Sequence, residues 1–374
     1  MSVPGNPNVG APRFHALRIA SVTREAEDAV VLEFAVPEAL CEAFRHMPGQ
    51  FLTLRTTLGG EELRRSYSIC AGLDEGALRV AIKAVEGGRF SGWANSALKA
   101  GDTLEAMPPD GRFCVAPDPA RARHVVAFAA GSGITPVLSI VRSVLAQEPR
   151  SRVTLVYGNR HVSSIMFCEA LEDLKDRHLG RFTLHHVLSR DHQEVALFNG
   201  RIDRDKCAQF LAKLVPVQGI DLALVCGPAG MIEDVSAALA GAGLPGDRLL
   251  VERFVSADGA QAGPTRAGRA QVASSPAAGE AGAEVTVIVD GQSRVVRVPA
   301  QGPSILEVAL QAGADLPYAC KSGVCSTCRA RLVSGEVEMA RNFALDAGEV
   351  ERGFILTCQS HPRSERVTVD YDQR

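Results

Sequence analysis

The sequence predicts a multidomain protein of mixed α/β and β class: an antiparallel β-barrel, then an open parallel α/β sheet, then a small C-terminal β domain. Short β-rich runs separated by Gly and Pro turns fill the first third of the chain, and apolar strands alternate with helical stretches in the middle. A segment rich in Ala, Gly, Ser and Pro precedes a last group of short strands. We expect domains at residues 12–117, 118–254 and 284–374, with a flexible linker at 255–283.

The first domain is expected to be the barrel because its β-rich runs are short and are separated by turn signals. These runs are His15 to Val22, Ala29 to Val36, Phe51 to Arg55 and Leu78 to Val85. Pro48-Gly49 and Pro109-Asp110-Gly111 are typical turn sequences. Short strands at this spacing suggest a small antiparallel barrel.

The middle domain begins with His124 to Ala130, a continuous apolar run typical of a strand buried on both faces of a parallel sheet. A glycine-rich turn and a helical stretch follow it. The same unit recurs, with further strands expected at Val153 to Tyr157, Phe182 to Leu188, Ile220 to Val225 and Arg248 to Phe254. This alternation predicts an open, mostly parallel sheet covered by helices.

The last domain opens with a predicted β-hairpin, because Val285, Val287 and Val289 alternate with other residues and Asp290-Gly291 supplies the turn. A short helix is expected after Pro303-Ser304. Further strands are expected at Arg329 to Val333, Glu336 to Met339, Phe354 to Cys358 and Arg366 to Tyr371. The domain is therefore expected to be small and rich in strands.

Composition and charge exclude several function classes. Forty basic and forty-three acidic residues give a formal charge of -3, so we expect no nucleic-acid partner. No apolar run approaches the roughly 20 residues that span a bilayer, so we expect no membrane association. The N-terminal residues lack the basic and apolar regions of a signal peptide. We therefore expect a cytoplasmic protein.

A cysteine loop in the last domain carries the strongest functional signal. Cys320, Cys325 and Cys328 are separated by four and then two residues, and Cys358 follows much later. This is the plant-type spacing of a 2Fe-2S cluster. Zinc sites more often use two short-spaced pairs of ligands, and a disulfide knot needs an oxidising compartment and a cysteine-dense chain. Reduced thiols are expected at the other six cysteines: Cys41, Cys70, Cys114, Cys168, Cys207 and Cys226.

An arginine and an aromatic residue share one face of a predicted strand in the first domain. The two-residue period of a strand places Arg65 and Tyr67 on one face and Ser66 and Ser68 on the other. Guanidinium hydrogen bonds and ring stacking suit a planar, phosphorylated ligand. The alternative is a surface arginine beside a half-buried tyrosine.

A turn further along the first domain has the composition of a phosphate loop. Gly88 lets backbone amides approach an anion, and Ser91 is expected to cap the helix that follows. The alternative is an ordinary turn between a strand and a helix.

Two turns of the middle domain have the composition of nucleotide loops. Gly131, Gly133 and Thr135 lie between a buried strand and a helix, which is the context of a dinucleotide-binding loop. Cys226 and Gly227 end a later strand, at the edge where ligands of open α/β sheets bind.

The order of these features along residues 14 to 254 resembles the ferredoxin-NADP reductase superfamily, and the cysteine loop resembles that of ferredoxins. The resemblance implies an FAD-binding β-barrel, an NAD(P)-binding α/β domain and a C-terminal β-grasp ferredoxin domain. It implies that FAD is held by Arg65, Tyr67, Ser68, Gly88 and Ser91. Arg65 would then contact the pyrophosphate, with Tyr67 and Ser68 beside the flavin.

The resemblance also implies the other cofactor sites. A nicotinamide nucleotide would lie on Gly131, Gly133 and Thr135, with Cys226 and Gly227 near the nicotinamide. The implied cluster ligands are Cys320, Cys325, Cys328 and Cys358. Glu252 and Phe254 are expected to approach the flavin edge.

The choice of nicotinamide depends on charge beside the ribose. Arginines favour the 2′-phosphate of NADPH, whereas a carboxylate favours NADH. Ser189 with Arg190 resembles the 2′-phosphate clamp of NADPH-using relatives, Arg160 ends the neighbouring strand, and Asp191 favours NADH. The sequence therefore predicts NADPH, with NADH as the alternative.

Longer stretches narrow the resemblance. Val156 to Phe167, Ala196 to Asp203 and Leu356 to Pro362 are similar to the reductase subunits of phenylacetyl-CoA 1,2-epoxidases. The resemblance implies that electrons pass from NADPH by way of FAD and the cluster to a multisubunit oxygenase, because a flavin takes hydride and releases single electrons. No catalytic acid, base or nucleophile is expected. The alternatives are the reductase of another ring- or steroid-hydroxylating oxygenase and a redox-sensing regulatory protein.

Overall fold

The computed structural model describes residues 13–254, 268–272 and 282–373, without the side chains of 268–272. Contacts within this part of the chain define two compact units. One contains residues 15–63 and 67–254, and the other contains 13–14, 64–66, 268–272 and 282–373. None of the helices described has the length and apolar character needed to cross a bilayer.

Six strands form the N-terminal sheet: β1 (His15–Ala26), β2 (Ala29–Ala35), β3 (Phe51–Leu58), β4 (Glu61–Ser68), β5 (Leu78–Lys83) and β6 (Thr103–Ala106). The sheet is antiparallel, with strand order β4-β3-β6-β1-β2-β5. Alternation along β1 buries Leu17 and Ile19, and α1 (Arg89–Ser96) adds Phe90 to the same core.

The antiparallel prediction for this domain is confirmed, but the barrel is not closed by a continuous ladder. Among the described residues, one isolated bridge between Ile69 and Val80 joins the chain just beyond β4 to β5. The sequence shows strand-forming runs but not whether the edge strands meet, because closure depends on strand tilt and stagger.

The middle of the chain alternates strands and helices. The elements are β7 (His124–Ala130), α2 (Ile134–Gln147), β8 (Arg152–Asn159), α3 (Cys168–Arg177), β9 (Phe182–Leu188), α4 (Arg204–Lys213), β10 (Leu222–Gly227), α5 (Ala229–Gly241) and β11 (Leu249–Arg253). The strands are parallel in the order β11-β10-β7-β8-β9. Residues 125–129 of the central β7 are completely buried, which confirms the prediction of a strand covered on both faces.

The predicted linker lies largely outside the described residues. Within it, β12 (Gly268–Val272) pairs antiparallel with the stretch from Gly335 to Met339. The composition of this segment predicts no strand, because Ala- and Gly-rich segments have little side-chain area to bury. Backbone pairing with an existing strand does not require such area.

The C-terminal domain contains β13 (Ala283–Val289), β14 (Gln292–Val298), α6 (Ile305–Gln311), β15 (Arg329–Met339), α7 (Ala347–Glu351), β16 (Phe354–Leu356), β17 (Ser360–Pro362) and β18 (Arg366–Asp370). The order is β12-β15-β18-β13-β14, and β16 and β17 also pair with β15. The predicted hairpin is confirmed as β13 and β14, and β18 runs parallel to β13. The two strands predicted at Arg329 to Val333 and Glu336 to Met339 form one strand, with an irregularity between Leu332 and Ser334.

Candidate functional site

The cysteine loop connects α6 to β15, and Cys358 lies in the 3-10 turn after β16. Cys325, Cys328 and Cys358 are buried, whereas Cys320 is partly exposed. The four thiols therefore come from two segments that fold against the same end of the sheet.

The loop backbone turns sharply on both sides of its second cysteine, Cys325. Lys321, Gly323 and Ser326 have positive φ angles of 50°, 77° and 54°. A β-carbon on Gly323 would lie 3.0 Å from the carbonyl oxygen of Arg341, so a side chain there would be crowded as well as strained. The amide of Ser322 is turned inward and donates to Cys320 Sγ at 3.3 Å.

The four thiols form two pairs. The hydrogen bond between Cys320 and Cys325 lowers the pKa of Cys320 below its usual value and raises the pKa of Cys325. The hydrogen bond between Cys328 and Cys358 raises the pKa of Cys358. The amide of Cys320 also donates to Cys325 Sγ at 3.5 Å.

This pairing fits a dinuclear iron-sulfur core, in which each iron takes two thiolates. Four cysteine thiols in the plant-type spacing are the donor set that such a cluster takes.

A buried hydroxyl pair supports the cysteine segments from behind. The Thr357 hydroxyl donates to the Cys328 carbonyl at 2.9 Å and lies 2.6 Å from the hydroxyl of Tyr371. Thr357 and Tyr371 are both fully buried. These bonds connect the segment that carries Cys358 to the loop that carries Cys328, and both to the chain after β18.

Strand β4 places the residues expected to contact FAD on alternating sides. Arg65 is exposed, Tyr67 is half-buried and Ser68 is buried. The Tyr67 ring lies 5.5 Å from the ring of Phe90, which belongs to α1. The structure thus brings Tyr67 close to the helix that follows the Gly88 turn.

The expected role of Ser91 as a helix cap is wrong. The helix begins at Arg89, Gly88 occupies the N-cap position, and Ser91 lies inside the first turn. The Ser91 hydroxyl accepts a hydrogen bond from the amide of Val85 at 3.1 Å and donates to the carbonyl of Gly88 at 3.3 Å. Ser91 therefore fixes the turn before the helix, and the first helical amides are left without a side-chain cap.

The glycine-rich turn after β7 holds α2 close to the neighbouring strand. Gly131 has a φ of +53°, and a β-carbon on Gly133 would lie 2.2 Å from the Cys226 carbonyl oxygen. The Thr135 hydroxyl donates to the carbonyl of Ser132 at 3.0 Å, and the Tyr157 hydroxyl donates to that of Gly131 at 2.9 Å. The predicted loop and the Cys226-Gly227 turn thus lie side by side at the carboxyl edge of the sheet.

Cys226 and Glu252 are opposite each other on β10 and β11. Cys226 is completely buried, and desolvation raises the pKa of its thiol well above the usual value. Desolvation also raises the pKa of Glu252 to about 8, so this carboxyl group retains its proton at neutral pH. Phe254, two residues later, is 39% exposed.

The ends of β8 and β9 hold the candidate 2′-phosphate residues. The amide of Ser189 donates to the Asn159 carbonyl at 3.0 Å, and the amide of Arg190 donates to the Arg160 carbonyl at 2.9 Å. Both arginines are exposed. Their side chains make no hydrogen bond or ion pair with any residue the structure describes.

The partner of Asp191 was not predicted from the sequence. One carboxylate oxygen lies 2.7 Å from His161 Nδ1, and the other accepts the amide of Val162 at 2.7 Å. The two residues are thirty positions apart. A signal was present, since parallel neighbouring strands place the residues after β8 beside those after β9.

Family models match three successive parts of the chain. An oxidoreductase FAD-binding domain matches residues 16–114, an oxidoreductase NAD-binding domain matches 128–237, and a 2Fe-2S iron-sulfur cluster binding domain matches 287–363. The matches occur in the order inferred from the sequence.

Two curated relatives match almost the full chain. A 1,2-phenylacetyl-CoA epoxidase subunit from Escherichia coli (strain K12) is 44% identical, over 96% of this chain and 98% of the relative. The ferredoxin reductase component of 3-ketosteroid-9-alpha-monooxygenase from Rhodococcus rhodochrous is 33% identical, over 95% of this chain and 96% of the relative.

A solved structure supports the same architecture. Phthalate dioxygenase reductase, described as a modular structure for electron transfer from pyridine nucleotides to 2Fe-2S, is 26% identical. It covers 96% of this chain, which covers 98% of that structure, at a TM-score of 0.56.

Proposed function

The chain belongs to the same family as the Escherichia coli 1,2-phenylacetyl-CoA epoxidase subunit, and we propose that it supplies electrons from NADPH to the oxygenase component of such an epoxidase. The observation that carries this proposal is the 44% identity over 98% of that relative, which extends through all three matched domains. When bound, FAD and the 2Fe-2S cluster supply the change from hydride chemistry to single-electron transfer.

We assign the chain's own residues as follows. FAD binds Arg65, Tyr67, Ser68, Gly88 and the turn that Ser91 fixes. The support is the proximity of Tyr67 to Phe90 and the uncapped first turn of α1, where backbone amides favour phosphate. Cys320, Cys325, Cys328 and Cys358 bind the cluster, and their two thiol pairs support this assignment.

The nicotinamide nucleotide binds the carboxyl edge of the parallel sheet. Gly131, Gly133 and Thr135 contact its phosphates, and Cys226 with Gly227 lies beside the nicotinamide. Ser189 and Arg190 bind the 2′-phosphate. The close approach of Gly133 to Cys226 and the unpaired guanidinium of Arg190 within the described chain support these roles.

The proposed domains are 12–117, 118–254 and 284–374, joined by a linker at 255–283. The family matches at 16–114, 128–237 and 287–363 lie within them and support this division. A cytoplasmic location suits the ten cysteines, which are all free thiols.

The test is NADPH oxidation by the purified chain, loaded with FAD and iron-sulfur cluster, in the presence of the catalytic subunits of a 1,2-phenylacetyl-CoA epoxidase. We expect oxidation that depends on phenylacetyl-CoA, and ferricyanide serves as the acceptor control. Turnover with ferricyanide alone would retain the reductase activity and reject the epoxidase partner. No turnover with either acceptor would reject the reductase and favour a sensor.

A second partner is supported by one specific observation. The 3-ketosteroid-9-alpha-monooxygenase reductase component shares 33% identity over 96% of its length. In the same assay with the oxygenase of that system and its steroid, we expect weaker coupling than with the epoxidase. Stronger coupling to the steroid oxygenase would reverse the assignment.

A further inference from the structure

The carboxylate of Asp191 lies where its charge would repel the 2′-phosphate of the proposed nucleotide. Asp191 directly follows Arg190, at the end of β9 where ligands of an open α/β sheet bind. A free carboxylate at this edge accepts a hydrogen bond from the ribose 2′-hydroxyl of NADH and repels the 2′-phosphate of NADPH. A free Asp191 carboxylate would therefore oppose binding of a 2′-phosphate by the neighbouring arginines, unless other groups bind the carboxylate and keep it away from the ribose.

In the structure, the Asp191 carboxylate is bound by two groups of the segment after β8. His161 Nδ1 lies 2.7 Å from one oxygen of Asp191, and the amide of Val162 donates to the other oxygen at 2.7 Å. Both oxygens are thus engaged by the segment after β8. These two hydrogen bonds, that of His161 first, lower the pKa of Asp191, so the carboxylate is ionised and stabilised in this arrangement.

The backbone of His161 is itself fixed. Its amide donates to the Ser164 hydroxyl at 3.1 Å, and its carbonyl accepts both the amide of Ser164 at 3.1 Å and the hydroxyl of Ser164 at 2.8 Å. The imidazole therefore projects from a closed 3-10 turn, Val162–Ser164, rather than from an open loop. Such a support makes a single residue able to position a partner from the next strand.

The two arginines at this edge, unlike Asp191, have no hydrogen-bond or ion-pair partner among the described residues. The side chains of these residues, Arg160 and Arg190, are exposed. Their backbones are joined at 2.9 Å, so two guanidinium groups start from adjacent points on the sheet edge. The same edge thus presents two available cations and one engaged anion.

We propose that His161 determines nucleotide specificity by holding Asp191 away from the ribose, which leaves Arg160 and Arg190 to bind a 2′-phosphate. This inference rests on the proposed nucleotide site. His161 is a positioning residue in it, since it acts on the nucleotide only through Asp191.

The experiment measures binding of 2′,5′-ADP and 5′-AMP to the full chain by isothermal titration calorimetry. His161→Ala removes the side-chain partner of Asp191 and leaves only the amide of Val162 to hold the carboxylate. We expect the ratio of the two dissociation constants to shift roughly five- to tenfold toward 5′-AMP, as one nearby like charge predicts. His161→Asn keeps a donor near the position of Nδ1 and should retain the wild-type ratio.

The double variant His161→Ala with Asp191→Asn separates this mechanism from general damage to the loop. Without the carboxylate nothing repels the phosphate, so the double variant should recover the preference for 2′,5′-ADP. Failure to recover it would mean that His161 acts otherwise than through Asp191. His192→Ala is the matched control, because this exposed neighbour also loses an imidazole and should leave the ratio unchanged.

Arg190→Ala distinguishes failure of this inference from failure of the proposed site. If Arg190→Ala weakens 2′,5′-ADP binding and His161→Ala leaves the ratio unchanged, the phosphate site stands and the role of His161 is rejected. If neither substitution affects 2′,5′-ADP, the nucleotide site itself is wrongly placed. Thermal unfolding of each variant confirms that binding is measured on folded protein.

Discussion

The cysteine loop and the proposed nucleotide edge of the parallel sheet are built in opposite ways. Three of the four thiols fall between Cys320 and Cys328, and the turns that aim them are local. The nucleotide edge instead collects residues from Gly131 to Gly227, each brought there by a different strand end. The first site is therefore encoded by spacing, and the second by the packing of a whole sheet.

The largest effect is expected from replacing one thiol of the cysteine loop. Cys325→Ser removes a buried thiol from the pair with Cys320, and a serine hydroxyl is a poor substitute for a soft thiolate ligand. We expect loss of the cluster and at least a hundredfold drop in electron delivery to the oxygenase, because ligand loss leaves three cysteines. Iron content and visible absorption report the cluster.

The matched control for that variant is Cys41→Ser, which changes an exposed thiol in the first domain. It should retain iron and colour. Equal iron content in the two variants would show that Cys325 is not a ligand.

The second prediction concerns the ion pair between Arg123 and Glu148, which lies at the opposite end of α2 from the carboxyl edge of the sheet. The side chain of Glu148, at the end of α2, is completely buried and pairs with Arg123. Glu148→Gln leaves that guanidinium without its counter-charge, and we expect a loss of about 3 kcal/mol in the free energy of unfolding. Chemical denaturation should show this loss, while iron content should stay unchanged because Glu148 and the cysteine loop belong to different compact units.

The pH dependence of the same pair follows from its pKa. Desolvation pushes the pKa of Glu148 upward, but hydrogen bonds from Arg123, Ser151 and the amide of Asp118 outweigh it and leave the pKa lowered. The pair therefore stabilises the fold fully above the ordinary value of 4.5 and loses its contribution as the pH falls through the lowered value. In Glu148→Gln this part of the acid dependence should disappear, and an unchanged acid profile would contradict the assignment.

This contrast explains how much the sequence could predict. The proposed cluster ligands follow from Cys-x4-Cys-x2-Cys spacing, and the parallel sheet follows from alternation of buried strands with helices. For the Asp191–His161 pair, the parallel order of β8 and β9 indicates only that the two loops are neighbours, and the hydrogen bond itself depends on the conformations of those loops. Ser91 was misassigned for a related reason: a shift of the helix start to Arg89 changes a capping residue into one that braces the turn.

The third prediction tests close packing at the nucleotide edge. In Gly133→Ala the new methyl group would lie 2.2 Å from the Cys226 carbonyl oxygen, so α2 must move away from β10. We expect a loss of about 2 kcal/mol in stability, typical of overpacking, together with weaker NADPH binding. Fluorescence titration and thermal unfolding measure the two effects.

Gly230→Ala is the matched substitution, because its β-carbon would meet no atom within 4 Å and the residue lies in helix α5. It should stabilise the protein by about 0.5 kcal/mol, the helix preference of Ala over Gly. If the two alanine variants behaved alike, the close approach of the glycine loop to Cys226 would not be a constraint.

The fourth prediction compares the two sites by removing one tyrosine hydroxyl from each. The Tyr371 hydroxyl lies 2.6 Å from that of Thr357 behind the cysteine loop, and the Tyr157 hydroxyl donates to the Gly131 carbonyl at 2.9 Å behind the nucleotide loop. Replacing either tyrosine with Phe removes one buried hydrogen bond and should cost about 1 kcal/mol. Tyr371→Phe should speed loss of iron to a chelator and leave 2′,5′-ADP binding intact, whereas Tyr157→Phe should do the reverse. Parallel changes in both readouts would mean that the two sites are not independently supported.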